Sequence, residues 1–247
     1  MTDILSTGIS GLLASQLALN TTGHNISNVN TAGYSRQQVM LGARTPDRFG
    51  NTYVGTGVNV EGVRRLYDSF LTGQVRDATG AQSRLSTFSD LASQVDNMLS
   101  DPNAGLQPAL DSFFGALHDL ASNPADSTTR QALLGQANSL AGRLRTLGTQ
   151  LMPIDKQADQ QIGDEVTEIN TLSQGIANIN LQIQRTGGNP SNDLLDQRDE
   201  LVRQLSTHVG VNVIPQDGNM INVTTGNGIF ALATGGIRVQ VPDSEFA

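Results

Sequence analysis

Cysteine and tryptophan are both absent from the 247 residues. Without cysteine there is no disulfide, no thiolate nucleophile and no thiolate metal site, and the chain folds alike on either side of a redox boundary. Aromatic residues make up 4% of the chain against 37% hydrophobic residues in all, so its cores rest on Leu, Ile, Val and Ala, the residues of helix seams. Positive charge is scarce as well. The net charge is −8 and the pI is near 4.7, the reverse of the basic face that nucleic-acid binding requires. Half of the fourteen arginines (Arg36, Arg44, Arg48, Arg64, Arg65, Arg76 and Arg84) do fall in one stretch. They are spread over about 50 residues without interleaved aromatic platforms, which reads as guanidinium groups solvated or paired at a subunit surface.

Long apolar runs are missing too. A membrane span needs roughly 20 mostly apolar residues, and none is present. A secretory signal needs a basic start and an uninterrupted apolar stretch. In this sequence Asp3 is the only charged side chain among the first 35 residues, and Ser6, Thr7, Ser10, Ser15 and Gln16 break the apolar sequence. Catalytic patterns have no support. His24, His118 and His208 share no ligand spacing and no carboxylate partner pattern, and no Gly-x-Ser-x-Gly occurs. Gly55-Thr56-Gly57 lacks the spacing and the strand–loop–helix context of a dinucleotide fingerprint. Asp164, Glu165 and Glu168 read as solvated charge on the polar face of a helix. No cofactor, metal site or catalytic residue is expected.

What is present is helical periodicity. Leu5, Ile9, Leu12, Leu19 and Ile26 keep a heptad-like spacing that passes through Gln16 and Gly23, predicting a first helix from residue 3 to about 22 with a weak apolar seam. Such a seam is buried only against a partner. Thr21, Thr22, Gly23 and the run His24-Asn25-Ile26-Ser27-Asn28-Val29-Asn30-Thr31-Ala32-Gly33-Tyr34 favour a turn after it. Residues 34–63, punctuated by glycines, read as extended or hairpin structure. From Tyr67 to Ser100 the helical period returns until Asp101-Pro102 closes it, and Leu106 to Ala121 forms a shorter helix.

The longest element is expected over 129–185. Leu133, Leu140, Leu144, Leu147 and Leu151 step along one seam, which resumes with Ile169, Leu172, Ile176, Ile179 and Ile183. Leu144 is expected inside and its neighbour Arg143 outside. Pro153 is expected to kink or break this helix one turn upstream. Gly187-Gly188-Asn189-Pro190 makes a turn, and Asp193 to Thr207 is a further helix with Leu194, Leu195, Leu201, Val202 and Leu205 inward. After His208 the period becomes two, with strands at Val209–Val213, Met220–Val223, Ile229–Leu232 and Ile237–Val241. The class is mainly α: long heptad-patterned helices in an elongated bundle. An N-terminal helix and turn (1–35) and an extended or hairpin segment (36–66) come first. The long-helix domain (67–207) follows, then the start of an antiparallel β domain (208–247).

The first block, with its asparagine-studded run after a charge-poor helix, closely resembles the N-terminal signature of bacterial flagellar axial proteins: rod, hook and hook-associated. Two further stretches are similar to the flagellar hook-associated protein 1 family, the first of the two proteins joining hook to filament. They are Leu120-Ala121-Ser122-Asn123-Pro124-Ala125-Asp126 leading into Arg130-Gln131-Ala132-Leu133-Leu134, and Asp193-Leu194-Leu195-Asp196-Gln197-Arg198-Asp199-Glu200-Leu201. The likeness implies a structural subunit of the flagellum, not an enzyme, exported without a cleaved signal to an extracellular position. The implied partners are the hook protein, the second junction protein, further copies of itself and the export machinery, with no nucleic acid and no membrane. Leu5, Ile9, Leu12, Leu19 and Ile26 are the expected axial packing residues. Asn25, Asn28, Asn30, Gly33 and Tyr34 are the expected turn motif. That family closes with a C-terminal helix pairing with the first, which this sequence lacks, so an N-terminal fragment, monomeric before assembly, is expected. Two other readings remain beside it: a generic coiled-coil binding protein of an export system, and a non-catalytic part of a larger enzyme.

Overall fold

The computed structural model describes residues 4–101, 105–187, 189–225 and 230–231. These fall into two compact units: the described residues up to 80 together with those from 169 on, and those of 81–168.

The first unit opens with α1 (Ile4–Ser27), which runs five residues past its expected end. Thr21 and Thr22 stay helical because each hydroxyl donates to the carbonyl one turn back, Leu17 O and Ala18 O, both at 2.9 Å. β1 (Gln37–Ala43) and β4 (Val58–Arg65) pair antiparallel from Gln37↔Arg65 to Ala43↔Val58, with a bulge between Met40 and Leu41. Between them β2 (Asp47–Phe49) and β3 (Thr52–Val54) close a short hairpin around Gly50-Asn51. α1 lies along β1 and β4. It seats a small-residue face on them, with Ser10 and Ala14 buried. Ser10 Oγ donates to Thr7 O at 2.8 Å and accepts the Val58 N–H at 3.2 Å. Gly57, at φ +106°, leaves that hydroxyl its room: a Cβ there would lie 2.3 Å from Ser10 Oγ.

The apolar core of this unit lies further along the chain. α4 (Ser127–Arg185) brings Ile169, Leu172 and Ile176 against Val202 and Leu205 of α5 (Asn192–His208). β5 (Val211–Pro215) and β6 (Ile221–Thr225) cover the same cluster with Ile221 and Val223. Ile176, Ile183, Leu205 and Val223 are fully buried. β7 (Phe230–Ala231) pairs with β6, giving the order β5-β6-β7. The expected strand at Ile237–Val241 lies outside the described residues. Ser191 caps α5, its Oγ accepting the Leu194 N–H. Gly187 turns the chain at φ +67°.

The second unit takes in most of α2 (Ser69–Ser100), α3 (Gln107–Ser122) and the first part of α4. α2 itself begins in the first unit, where Asp68 Oδ1 accepts the N–H groups of Phe70 and Leu71, both at 3.0 Å. Asp126 does the same for α4 through the Thr128 N–H at 2.9 Å. The long helix departs from expectation in two ways. Of the kink or break expected at Pro153 the break does not occur, and α4 continues through it. Proline costs about 3 kcal/mol inside a helix, but elongation adds a bond per residue and sustains the turns on either side. The seam is not evenly buried: Leu147 is inside, whereas Leu144 is 51% and Leu151 40% exposed. Leu133 and Leu140 are half-buried, and so is Arg143, the residue expected outside. A 4-3 spacing selects a face, but only the stretch under α5 and the β strands, Ile169 to Ile183, is covered throughout. Among the described residues no helix is long and apolar enough to cross a membrane.

Candidate functional site: the turn motif on α5

The asparagine run does two jobs. Asn25 sits in the last turns of α1, inside the helix and not in the turn that follows. Its Nδ2 donates to Gln37 O at 2.9 Å, and its Oδ1 accepts the Gln37 N–H at 2.8 Å and the Tyr34 hydroxyl at 2.7 Å. One side-chain amide thus substitutes for a strand partner at the first residue of β1. Burial first, then the charges of Asp193 and Asp196, raise the Tyr34 pKa, so the phenol keeps its proton and can donate. Asn28 closes the helix end instead, its Nδ2 donating to His24 O at 3.0 Å. Thr31 Oγ1 donates to Asn28 Oδ1 at 3.3 Å. Asn30 is exposed. Gly33 has φ +75°, and a Cβ on it would stand 2.6 Å from Glu200 Cβ. Only glycine gives both the left-handed turn and the close approach to α5.

α5 supplies the other wall. Asp193 Oδ1 accepts Gln37 Nε2 at 2.7 Å and lies 3.3 Å from His24 Nε2. The His24 ring meets the Tyr34 ring edge-on, with centroids 5.5 Å apart. Asp196 is buried, one oxygen accepting the Ser35 N–H and the other Arg65 Nη1, each at 2.9 Å. The same Nη1 lies 2.7 Å from Asp199 Oδ2. Burial opposes the Arg65 charge, but Asp199 and Asp196 outweigh it and hold its pKa above the ordinary value. The Arg65 guanidinium also stacks over the Tyr67 ring at 4.2 Å. Arg198, itself buried, pairs with Asp199 and donates Nη1 to Asn219 O in the turn before β6. Asn192 Nδ2 donates to Val63 O at 2.9 Å, fixing α5 to β4. Between turn and helix lies a groove of about 490 Å³, lined by His24, Asn28, Thr31, Ala32, Tyr34, Ile179, Asp193, Asp196, Gln197, Glu200 and Leu201.

Of the expected turn residues, Asn28 and Tyr34 line the groove on α5 and Gly33 stands against Glu200, whereas Asn25 holds Gln37 and Tyr34. The expected axial residues do not join them: Leu5, Ile9, Leu12, Leu19 and Ile26 are all exposed, at 50–72%. Arg65 and Asp196 pair without a signal in the sequence. They stand 131 residues apart, and no spacing rule links them. His24 likewise has the carboxylate neighbour that its sequence surroundings did not announce.

The two walls correspond to two matched families. Residues 5–34 match the flagella basal body rod protein family, and residues 92–241 match the flagellar hook-associated protein FlgK helical domain. Among curated relatives, flagellar hook-associated protein 1 of Salmonella typhimurium is 42% identical over 98% of this chain and 44% of its own length. The protein of that name from Escherichia coli K12 is 40% identical over 98% of this chain and 45% of its own length. That from Bacillus subtilis is 29% identical over 97% and 48%. The chain thus spans less than half the length of these relatives. The solved flagellar hook junction protein FlgK from Burkholderia pseudomallei superposes with a TM-score of 0.56 at 35% identity, over 66% of this chain and 29% of that one. The helical-domain match covers more than half of the sequence, and the rod-type match falls on the helix and turn that dock against it; the chain belongs to the flagellar hook-associated protein FlgK family.

Proposed function

We propose that this chain is a structural part of the bacterial flagellum, joining hook to filament by helix packing between subunits. The observation that carries the reading is the division of α1. Its small residues, Ser10 and Ala14, face the β1–β4 hairpin, while Leu5, Ile9, Leu12, Leu19 and Ile26 face outward at 50–72% exposure. A contiguous apolar stripe of that kind marks an interaction surface. The names of the relatives, a flagellar hook-associated protein and a flagellar hook junction protein, support a setting at the hook. The partners are the hook protein, the second junction protein and neighbouring copies, reached by export without a cleaved signal to the extracellular flagellum. In this reading residues 1–35 form the inner axial layer and 36–66 the hairpin beside it. Residues 67–207 form the helical layer, and a β domain starts at 208. The docked turn motif sets the direction in which α1 leaves the helical layer.

Leu12→Asp, introduced into the gene as its bacterium carries it, tests this. Leu12 is 69% exposed, so folding of the subunit is untouched. Export to the medium should persist, while hooks should lack filaments and cells should not swim. Normal filaments on Leu12→Asp cells would overturn the reading.

A further inference from the structure

The β2–β3 hairpin is the most exposed part of the described chain. Every residue from 43 to 55 is exposed, including Phe49 at 78% and Tyr53 at 70%. A lone two-stranded hairpin is marginal in water, and two aromatic side chains at its tip gain nothing while solvated. Charge separates in the same way. The exposed stretch 43–55 carries Arg44 and Arg48 against Asp47, a net +1 within a chain of net −8. Of the carboxylates lining the α5 groove, Asp196 is answered by Arg65 and Glu200 by Arg203, which leaves Asp193, half exposed, as the one that faces no guanidinium of its own chain among the described residues. The tip is a basic–aromatic projection: Arg48 pairs across the strands with Tyr53, and Phe49 with Thr52. The groove is a recess with an aromatic corner, where the Asp193 carboxylate is half exposed beside the His24 and Tyr34 rings.

The two features lie at opposite ends of one sheet. The Gln37↔Arg65 end is tied to Asp193 and Asp196 at the groove. The Ala43↔Val58 end is six residues away, about 20 Å at the rise of a strand, and the β2–β3 tip continues from there. Among the described residues nothing covers the tip, each of its residues being exposed.

We infer that the Arg48–Phe49–Tyr53 hairpin tip of one copy inserts into the α5 groove of a second copy, with Arg48 supplying a cation to Asp193. Because tip and groove are different surfaces, the contact is heterologous: each copy offers a tip to one neighbour and a groove to the other. Such contacts propagate into rings or helical arrays instead of closing as a two-fold dimer. The contact uses none of the α1 stripe, so it adds a second surface to the proposed assembly and stands or falls separately from it.

The absence of cysteine gives a clean test in the full chain. Tyr53→Cys and Gln197→Cys chains are mixed and oxidised; both positions are exposed, so neither change disturbs a core. The mixed disulfide should exceed both homodimers. Arg48→Glu in the Tyr53→Cys chain should lower its yield about tenfold, since like charges meet in the contact. Asp193→Arg in the Gln197→Cys chain should restore it. Leu12→Asp in either chain should leave the yield unchanged, which separates this contact from the α1 stripe. A statistical mixture of disulfides, or a yield indifferent to Arg48→Glu, overturns the inference. So does an intrachain disulfide in the dilute Tyr53→Cys/Gln197→Cys double variant, or adducts formed only with a different flagellar protein in cells.

Discussion

Asn25 holds both backbone polar groups of Gln37, its Nδ2 2.9 Å from Gln37 O and its Oδ1 2.8 Å from Gln37 N. This closes the run of residues between α1 and β1 into a fixed loop, and Tyr34 locks the amide orientation by donating to the same Oδ1. Asn25→Ala removes three hydrogen bonds at a half-buried place. At about 1 kcal/mol each, the loss should be about 2–3 kcal/mol. Asn25→Asp keeps the acceptor but sets a carboxylate against Gln37 O, so it should recover only part of that loss. Urea titration of the three proteins measures both. Hydrogen exchange at the Gln37 amide should accelerate in the alanine variant; an unchanged rate would mean that Asn25 does not hold the start of β1.

Much of this was legible in the sequence, for reasons that also mark where reading stops. Period-3.6 spacing located α2, α3, α4 and α5 to within a few residues, and glycine punctuation located the β1–β4 segment. The end of α1 escapes such reading because threonine and asparagine prefer turns in solution. In place, Thr21 and Thr22 bond back into the helix, and Asn25 uses its amide on another strand. Which face of α1 is seated was hidden for a related reason. The packed face is the one with Ser10 and Ala14, small enough to let the hairpin approach, while the large residues look outward. The Arg65–Asp196–Asp199 cluster joins residues far apart in sequence, and only the fold brings them together.

The uneven seam of α4 makes a second prediction. Ile176 is fully buried against α5 and the β strands, so Ile176→Asp leaves a charge in an apolar core. The expected loss is about 4 kcal/mol or more, from lost burial and charge desolvation together. Leu144 lies on the same 4-3 pattern but is 51% exposed. Leu144→Asp should cost about 1 kcal/mol or less. Circular dichroism during urea unfolding compares them, and equal losses would mean that the seam is buried along its whole length.

Arg65 bridges Asp196 and Asp199, the second of which also pairs with Arg198, and its side chain is only 11% exposed against 6% and 15% for the two carboxylates. Removing one partner of a buried ion pair leaves charge without compensation, at a cost of about 3–5 kcal/mol. Arg65→Ala should lose that much, and its effect should reach α1, because Asp196 also holds the Ser35 N–H. Arg65→Lys should fall between, since an ammonium lacks the planar fork and stacks less well on Tyr67. A loss below about 1 kcal/mol for Arg65→Ala, the range of exposed pairs, would demote the cluster to surface charge.

Acid should loosen the same wall through Glu200. Its Oε2 accepts Arg203 Nε at 2.8 Å, and its Oε1 accepts Arg203 Nη2 at 2.6 Å and Gln204 Nε2 at 2.9 Å. The bonds from Arg203 lower its pKa from 4.5 against the opposing effect of burial. A carboxylate with a depressed folded pKa binds its proton less readily in the folded than in the unfolded state. The stability it contributes is therefore complete above 4.5 and is lost as pH falls through the folded value below it. Glu200→Gln keeps the shape and cannot titrate. The wild-type urea midpoint should exceed that of Glu200→Gln at pH 6, and the gap should close on acidification below 4.5. Arg203 is 48% exposed, so about 0.5 M salt should also narrow the gap at pH 6 by screening the pair. If the two midpoints fell in parallel across the acid range, the proton uptake would belong to other carboxylates, and the Arg203 bonds would not be what holds Glu200 ionised.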